Sequence, residues 1–144
     1  MPAVRPMTVD DIPAAVALWQ GTEGMTLRGA DRPEALARFL SRNPGCSFVA
    51  DVGGELVGVS LAGHDGRRGY LHHVAVRHGR RRGGLGRRLV EACAAALKAE
   101  GIEKVNFFVK ADNSAGLAFW LGLGAVRRDD LLAVSLILSD DPNA

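Results

Sequence analysis

The sequence lacks the residue patterns that mark disulfide-rich, metal-binding and membrane-spanning proteins. Its 144 residues include two cysteines, Cys46 and Cys93, which give neither a disulfide framework nor the paired spacing of a structural zinc site. No apolar run approaches the roughly 20 residues that a membrane-spanning helix needs. Segment 1–5 carries no signal-peptide core, so we expect a cytoplasmic protein without a metal ion or a membrane contact.

Net charge is also small, but it is unevenly distributed. The formal charge is +2 at pH 7, with −3 over residues 1–65 (5 basic, 8 acidic) and +5 over residues 66–144 (13 basic, 8 acidic). This asymmetry suits an anionic ligand on the second half and a cationic one on the first, although solvated surface charge explains it equally well. The length and the 47% apolar content predict a single domain over residues 1–144.

Apolar periodicity predicts an α/β domain with a mixed sheet. Gly53 and Gly54 lie between two strand-like runs and predict a hairpin. Apolar residues recur every four positions from Leu85 to Leu97, which predicts a helix that Gly101 ends. The predicted strands cover 4–9, 47–52, 56–62, 70–76, 105–109, 125–128 and 132–138, and the predicted helices run to residue 20, from residue 33, over 84–100 and to about residue 123.

The segment between strand 70–76 and helix 84–100 is the most unusual part of the chain. It reads RRGGLGRR over residues 81–88, and no acidic residue follows it before Glu91. A helix N-terminus carries partial positive charge and normally attracts acidic side chains, so local stability does not explain this cluster. Bare amides and guanidinium groups at a helix start are typical of a site for linked phosphates.

Two familiar phosphate-binding motifs fail on residues that their chemistry requires. A P-loop starting at Gly79 would need Lys and then Ser or Thr after Gly84, where this chain has Leu85 and Gly86. A dinucleotide fingerprint starting at Gly84 would need a glycine at position 89, which is Leu89. Neither motif accounts for the segment.

A third pattern fits the segment and its surroundings. The spacing R-x-x-G-x-G over residues 81–86 resembles the signature of the GNAT superfamily of N-acetyltransferases. Val-Ala-Val at 74–76 resembles the end of that family's fourth strand, and Asn113, Trp120 and Gly124 stand where the family commonly has Asn, Tyr and Gly. The resemblance covers essentially the whole chain. It implies a mixed, mostly antiparallel sheet of about seven strands, splayed between the fourth and the fifth, with about four flanking helices.

The resemblance also implies that acetyl-CoA is the cosubstrate, without a metal. Successive amides at the helix start would bind its pyrophosphate. Its peptide-like pantetheine arm would pair with the edge of the fourth strand, opened by a bulge near residues 76–77, where a backbone amide would polarise the thioester carbonyl. The implied cofactor-binding residues are Val74, Val76, Arg81, Arg82, Gly83, Gly84, Leu85, Gly86, Arg87, Asn113 and Trp120.

The catalytic candidates lie on the fourth strand. Strict alternation places Tyr70, His72, Val74 and Val76 on one face and His73 on the other. Relatives such as arylalkylamine acetyltransferases have polar residues at the positions of Tyr70 and His72. The resemblance therefore indicates His72 as the proton acceptor, since histidine titrates near the working pH. A hydrogen bond within the sheet is the alternative for either histidine.

The leaving thiolate raises a separate question. Many family members protonate it with a tyrosine, but Trp120 stands at that position, and an indole N–H is too weak an acid. Tyr70, the only tyrosine, or solvent could supply the proton, and a thiol pKa of about 8.5 makes thiolate a tolerable leaving group without an acid. Asn113 could bond the pantetheine arm or simply cap the following helix.

The acceptor site is expected over the loop 21–32, between the first two helices. Trp19, Glu23 and Met25 are its candidate contacts, and Glu23 could attract an ammonium group, although an ordinary exposed glutamate is the alternative. The acceptor itself stays open: a protein N-terminus, a lysine or a small-molecule amine would each serve.

The sequence thus favours an N-acetyltransferase that moves the acetyl group directly from acetyl-CoA to a primary amine. A catalytically silent acyl-CoA-binding module is the alternative, because Trp120 replaces the usual acid. Nucleic-acid binding is not expected, since the six arginines between residues 77 and 88 have no aromatic side chains among them for base stacking. A homodimer through the apolar tail 131–138 stays open.

Overall fold

Five strands form one mixed sheet, in the order β1-β2-β3-β4-β5, in this computed structural model, which describes all 144 residues. Strands β1 to β4 are antiparallel neighbours, and β5 joins β4 in parallel. The strands are β1 (Ala3–Pro6), β2 (Phe48–Val52), β3 (Glu55–His64), β4 (Gly69–Val76) and β5 (Val105–Asn106), and the helices are α1 (Ile12–Gln20), α2 (Pro33–Arg42), α3 (Leu85–Ala99) and α4 (Ser114–Gly122).

The chain divides into two compact units, residues 1–107 and residues 108–144. The first unit holds the whole sheet and helices α1 to α3, and the second holds α4. Single-domain organisation over residues 1–144 stays a prediction. None of the helices combines the length and the apolar character that crossing a membrane would require.

The prediction of about seven strands is wrong, because residues 125–128 and 132–138 form no strand. Apolar composition indicates strand propensity, but a strand also needs a partner for its backbone groups, and the unit 108–144 contains no strand at all. Leu132 and Val134 are 91% and 93% exposed. The other five strands and the four helices occur in the predicted order.

The turn between β2 and β3 confirms the hairpin prediction. Gly53 has φ 57° and Gly54 has φ 85°. Two successive residues with positive φ define the tight turn whose twist matches that of the flanking strands, and glycine adopts it without a steric penalty.

Helices cover both faces of the sheet and bury one apolar cluster on each. The cluster under α1 and α2 is centred on Trp19, Leu36 and Val59. The cluster under α3 contains Val57, Leu85 and Leu89, and Cys93 of the same helix is fully buried. A glycine at position 58 allows α3 to approach closely, because a Cβ there would lie 2.9 Å from Leu89 Cδ1. This packing holds the N-terminus of α3 beside the sheet.

A buried carboxylate ties the N-terminal strand to the start of α1. Asp11 accepts two hydrogen bonds of 2.8 Å from the Arg5 guanidinium and one of 2.8 Å from the Thr8 amide. Arg5 Nε also donates to Asp51 on β2 at 2.9 Å. The bonds from Arg5, and less strongly the Thr8 amide, hold the pKa of Asp11 below its ordinary value of 3.8, although burial opposes them.

Replacing Asp11 by Asn should lower the free energy of unfolding by about 1–2 kcal/mol, since Arg5 is partly exposed and loses a charged partner. A carboxyl whose folded pKa is depressed stabilises the fold above its unfolded pKa, and that stabilisation is lost as pH falls through the folded value. Urea unfolding between pH 7 and pH 3 should therefore show a weaker acid dependence for Asp11→Asn. The exposed neighbour Asp10→Asn is the control, and an equal loss in both variants would contradict the assignment.

Candidate active site

Strand β4 carries a bulge in its middle. Between two regular pairs with β3, the single residue Ser60 faces both His73 and Val74. His73 has φ 50°, in the left-handed region that histidine enters more readily than most residues. The bulge was predicted near residues 76–77, but the structure places it earlier, at His73. This residue deviates because it is bonded by Trp19 of α1 and by Asp31 of the loop that follows α1.

The bulge changes which side chains share a face of the sheet. His72 lies edge-on to Phe39 of α2, with ring centroids 6.0 Å apart. His73 lies against Trp19 of α1, with centroids 5.0 Å apart. Both histidines therefore face α1 and α2, and the prediction that alternation would separate them is wrong, because one inserted residue resets the period. Val76 packs with the α3 cluster on the opposite face.

The second half of β4 presents a free backbone edge within residues 1–107. Its pairing with β5 covers only Gly69 and Tyr70. The Arg77 amide donates to the Val57 carbonyl at 2.8 Å, and alternation in an antiparallel ladder then turns the amide and carbonyl of Val76 away from β3. Arg81 Nε donates to that Val76 carbonyl at 3.1 Å, which shows that the edge is reachable from the loop.

The loop between β4 and α3 contains two residues with positive φ, and its backbone exposes amides. After one 3-10 turn (His78–Arg80), Arg82 has φ 67° and Gly84, at the helix start, has φ 78°. No side chain caps the helix, and the first intrahelical bond runs from Arg88 N to Gly84 O at 3.1 Å. The amides of the first turn therefore have no acceptor within the helix, which is the arrangement that binds anions.

Several of the arginines have protein partners that the sequence did not reveal. Arg77 forms an ion pair with Glu55 of β3, and Arg88 Nη1 donates to the Pro2 carbonyl at 3.0 Å. An acidic residue distant in sequence thus offsets part of the charge, and the prediction that none does so before Glu91 holds only along the chain. Arg81 and Arg82 are exposed on the loop itself.

His72 lies in surroundings that favour its neutral form. The ring is flanked by Tyr70, whose ring is parallel at 6.3 Å, and by Phe39. Burial lowers the pKa of His72 below its ordinary value of 6.5, the nearby charge of His73 lowers it further, and that of Asp31 raises it. A neutral imidazole near pH 7 can accept a proton.

Three contacts around His73 had no signal in the sequence. Trp19 Nε1–H donates to the His73 carbonyl at 2.9 Å. His73 Nε2 bonds Asp31 Oδ1 at 2.9 Å, and the other carboxylate oxygen accepts from the Arg28 amide at 2.9 Å. A lone aspartate before a helix reads as a loop residue, so only the folded chain brings Asp31 to β4.

The three predicted acceptor contacts occupy different environments. Trp19 is 0% exposed and belongs to the core, so it supports β4 from below and does not line an open surface. Met25 is partly buried against the same core, and Glu23 is exposed on the loop. Of the three, Glu23 is therefore the one whose polar group faces solvent.

The unit 108–144 contains the two remaining cofactor-binding candidates. Asn113 Oδ1 accepts from the Gly116 amide at 2.9 Å and caps α4, so the capping role that the sequence left open is present. Trp120 is partly buried, and its ring lies edge-on to Phe119 at 5.0 Å. Gly124, with φ 95°, follows the end of α4 as predicted.

Cavities and metal-ligating clusters do not compete with this site. Cavities of about 250 and 430 Å³ lie along α1 and α2, and neither is lined by a predicted site residue. The first lies beside α2 and the segment before β2, with Thr8, Ser41, Asn43 and Ser47 in its lining, and the second is a mainly apolar groove between α1 and α2. No group of three or more His, Cys, Asp or Glu side chains is arranged to hold a metal ion.

Comparison with known proteins gives a consistent result. The profile of the acetyltransferase (GNAT) family matches residues 14–125. An acetyltransferase of Sodalis glossinidius is 30% identical over 139 residues, covering 96% of each chain. A putative acetyltransferase from Agrobacterium tumefaciens has a similar structure (TM-score 0.74, 21% identity, 93% of this chain and 99% of that one). The PaiA N-acetyltransferase of Thermoplasma acidophilum, solved with coenzyme A, is also similar (TM-score 0.72, 15% identity, 85% and 88%).

Gly84→Ala should weaken the binding of acetyl-CoA about 10-fold, because an L-residue disfavours φ 78° by roughly 1–2 kcal/mol and the first-turn amides would reorient. Gly53→Ala is the matched control, since it imposes a similar backbone penalty at φ 57° in the β2–β3 turn. Isothermal titration calorimetry gives the two dissociation constants, and thermal unfolding gives the two stabilities. Equal affinities with equal losses of stability would remove the phosphate-binding role of the loop.

Proposed function

This chain belongs to the GNAT family of acetyltransferases, and on that basis we propose that it moves the acetyl group of acetyl-CoA directly to a primary amine. The observation that carries the proposal is the combination of a free β4 edge with uncapped amides at the start of α3. One binds a peptide-like chain and the other an anion, which are the two parts of coenzyme A that the arrangement must hold.

We assign the predicted cofactor-binding residues to different parts of acetyl-CoA. Amides from Arg82 to Arg87 bind the pyrophosphate, assisted by the exposed guanidinium of Arg81 or Arg82. The outward backbone groups of Val74 and Val76 pair with the pantetheine arm, and the Val76 carbonyl becomes available when Arg81 turns from it to the pyrophosphate. Asn113 and Trp120 stay candidates for contacts with that arm, and the cap at Asn113 leaves its amide nitrogen available for one.

Direct transfer requires a neutral amine. At pH 7 deprotonation costs about 4.6 kcal/mol for a lysine amine and about 1 kcal/mol for an α-amine, from their ordinary pKa values. The amine attacks the thioester carbonyl carbon, the new C–N bond forms as the C–S bond breaks, and His72 accepts the amine proton directly or through water. An outward amide of β4 polarises the carbonyl oxygen.

The departing sulfur takes a proton from Tyr70 or from solvent. Tyr70 lies on the same face as His72 and stacks on it, so the proposed acid and base are neighbours. Thiolate leaves readily enough that the acid is helpful and not essential. Replacing Tyr70 by Phe should therefore cost less activity than replacing His72.

The acceptor is a primary amine that approaches from the loop 21–32. Glu23 is exposed there and can attract an ammonium group, with Met25 beside it as a partly buried apolar contact. A protein N-terminus, a lysine and a small-molecule amine all satisfy this chemistry.

His72→Gln should lower kcat/KM for an amine acceptor by about 10²–10⁴-fold, as expected for loss of a general base. In the unchanged protein kcat/KM should fall as pH decreases through a value below 6.5, since burial lowers the pKa of His72 and only the neutral ring accepts a proton. His64→Gln is the control, because the His64 ring binds Glu100 at the far end of β3. A free-thiol assay with acetyl-CoA across pH 5–9 measures both, and an unaltered profile in His72→Gln would remove the base assignment.

The same assay separates the enzyme from a silent binding module. Release of coenzyme A thiol that depends on added amine, over a panel of peptides, lysine derivatives and small amines, supports transfer. Saturable binding of acetyl-CoA without thiol release from any of them would support the module instead.

A further inference from the structure

His73 connects strand β4 to the loop 21–32, where we expect the acceptor amine to bind. Its backbone forms the bulge in β4, and its ring reaches Asp31 in the turn just before α2. The Asp31 side chain is only 9% exposed, and its two oxygens bond different elements: Oδ1 bonds His73 Nε2, and Oδ2 accepts from the Arg28 amide. One carboxylate therefore joins the loop 21–32 to the strand.

The bulge would not keep its conformation without such contacts. A non-glycine residue at φ 50° is disfavoured by sterics, and the surrounding structure must hold it in place. Trp19 supplies one bond, from its indole N–H to the His73 carbonyl, and is itself fully buried. Asp31 supplies the second bond, to the ring, so the residue is fixed through its backbone and its side chain.

We propose that Asp31 and His73 are positioning residues, whose hydrogen bond holds the β4 bulge and thereby sets the free edge that receives the pantetheine arm. This inference rests on the proposed function. The contact needs a proton on His73 Nε2, because a carboxylate only accepts. The two residues touch neither reacting group. They act through the backbone at Val74 and Val76 and through the ring of His72, which directly precedes the bulge.

The pair also sets the charge around the proposed base. The titratable groups that face His72 are His73 and Tyr70 on its own strand and Asp31 on the loop, while α2 contributes the uncharged ring of Phe39. The Asp31 charge raises the pKa of His72 against the effect of burial. Removing that charge should therefore move the acid limb of the kcat/KM profile to lower pH, which a purely structural role would not do.

The test compares two ligands on one variant. Asp31→Asn removes the charge and replaces one of the two acceptor oxygens by a donor, so only one of the bonds from His73 and Arg28 can remain. It should raise the dissociation constant of acetyl-CoA about 10-fold, as expected when a charged hydrogen-bonding group loses its charge and one partner. It should leave that of 3′-phospho-ADP, which lacks the pantetheine arm, within about twofold, because the phosphate loop is untouched. Asp10→Asn, at an exposed site of the same residue type, is the control for both ligands. Calorimetry measures the affinities, and thermal unfolding confirms that the variants are folded.

A second variant separates the backbone from the ring. Glycine adopts φ 50° without a steric penalty, so His73→Gly should keep the bulge and the acetyl-CoA affinity within about threefold. Losing the link to the loop should instead raise KM for the amine about 10-fold. The proposal is overturned if Asp31→Asn weakens both ligands equally, or changes neither affinity nor the pH profile. Failure of the unchanged protein to bind acetyl-CoA or release thiol would overturn the proposed function separately.

Discussion

The backbone of β4 is the constraint on which the rest of the site depends. One of its edges bonds β3 to complete the sheet, and the other pairs with β5 only at Gly69 and Tyr70, which leaves the rest of that edge open for the ligand that we propose. A bulge meets both demands, since it bends the strand and interrupts the ladder at a single point. The bulge places His73 at positive φ, which is sterically unfavourable. Hydrogen bonds from α1 and from the loop 21–32 offset that cost. Trp19 of α1 and Asp31 of the loop 21–32 thus help to hold the backbone conformation of His73.

The electrostatics of the site follow from the same arrangement. Glycine and an uncapped helix start expose amides on the loop after β4, where acidic neighbours would compete with a bound phosphate. Arg77 and Arg88 are turned toward Glu55 and the Pro2 carbonyl, so the arginine cluster is partly structural. His72 is the opposite case, because burial beside Phe39 favours its neutral form. The chain therefore keeps positive charge at the loop and favours a neutral imidazole on the strand, at the residue that we propose as the base.

Much of the fold could be predicted because local rules decided it. Two glycines fix the β2–β3 turn, and an apolar residue at every fourth position fixes α3. Asn113 caps the start of α4, and Gly124 follows its end. The predictions failed where a partner was needed. Residues 132–138 have strand-like composition but no strand to pair with in their unit, and the bulge position depended on contacts with Trp19 and Asp31. The arginine-rich loop 81–88 stood out because its composition disfavours a helix start, and that conflict favours a binding role for it.

The sequence by itself determined the order of the five strands and four helices, the candidate phosphate-binding loop and the family, because these depend on spacing along the chain. Only the tertiary structure decided that His72 and His73 share a face, that Trp19 is a buried support, and that Asp31 reaches the strand. The physical reason is that a one-residue insertion in a strand reverses every side chain beyond it. The position of that insertion is set by two hydrogen bonds of His73, to Asp31, which is 42 positions away in the sequence, and to Trp19, which is 54 positions away.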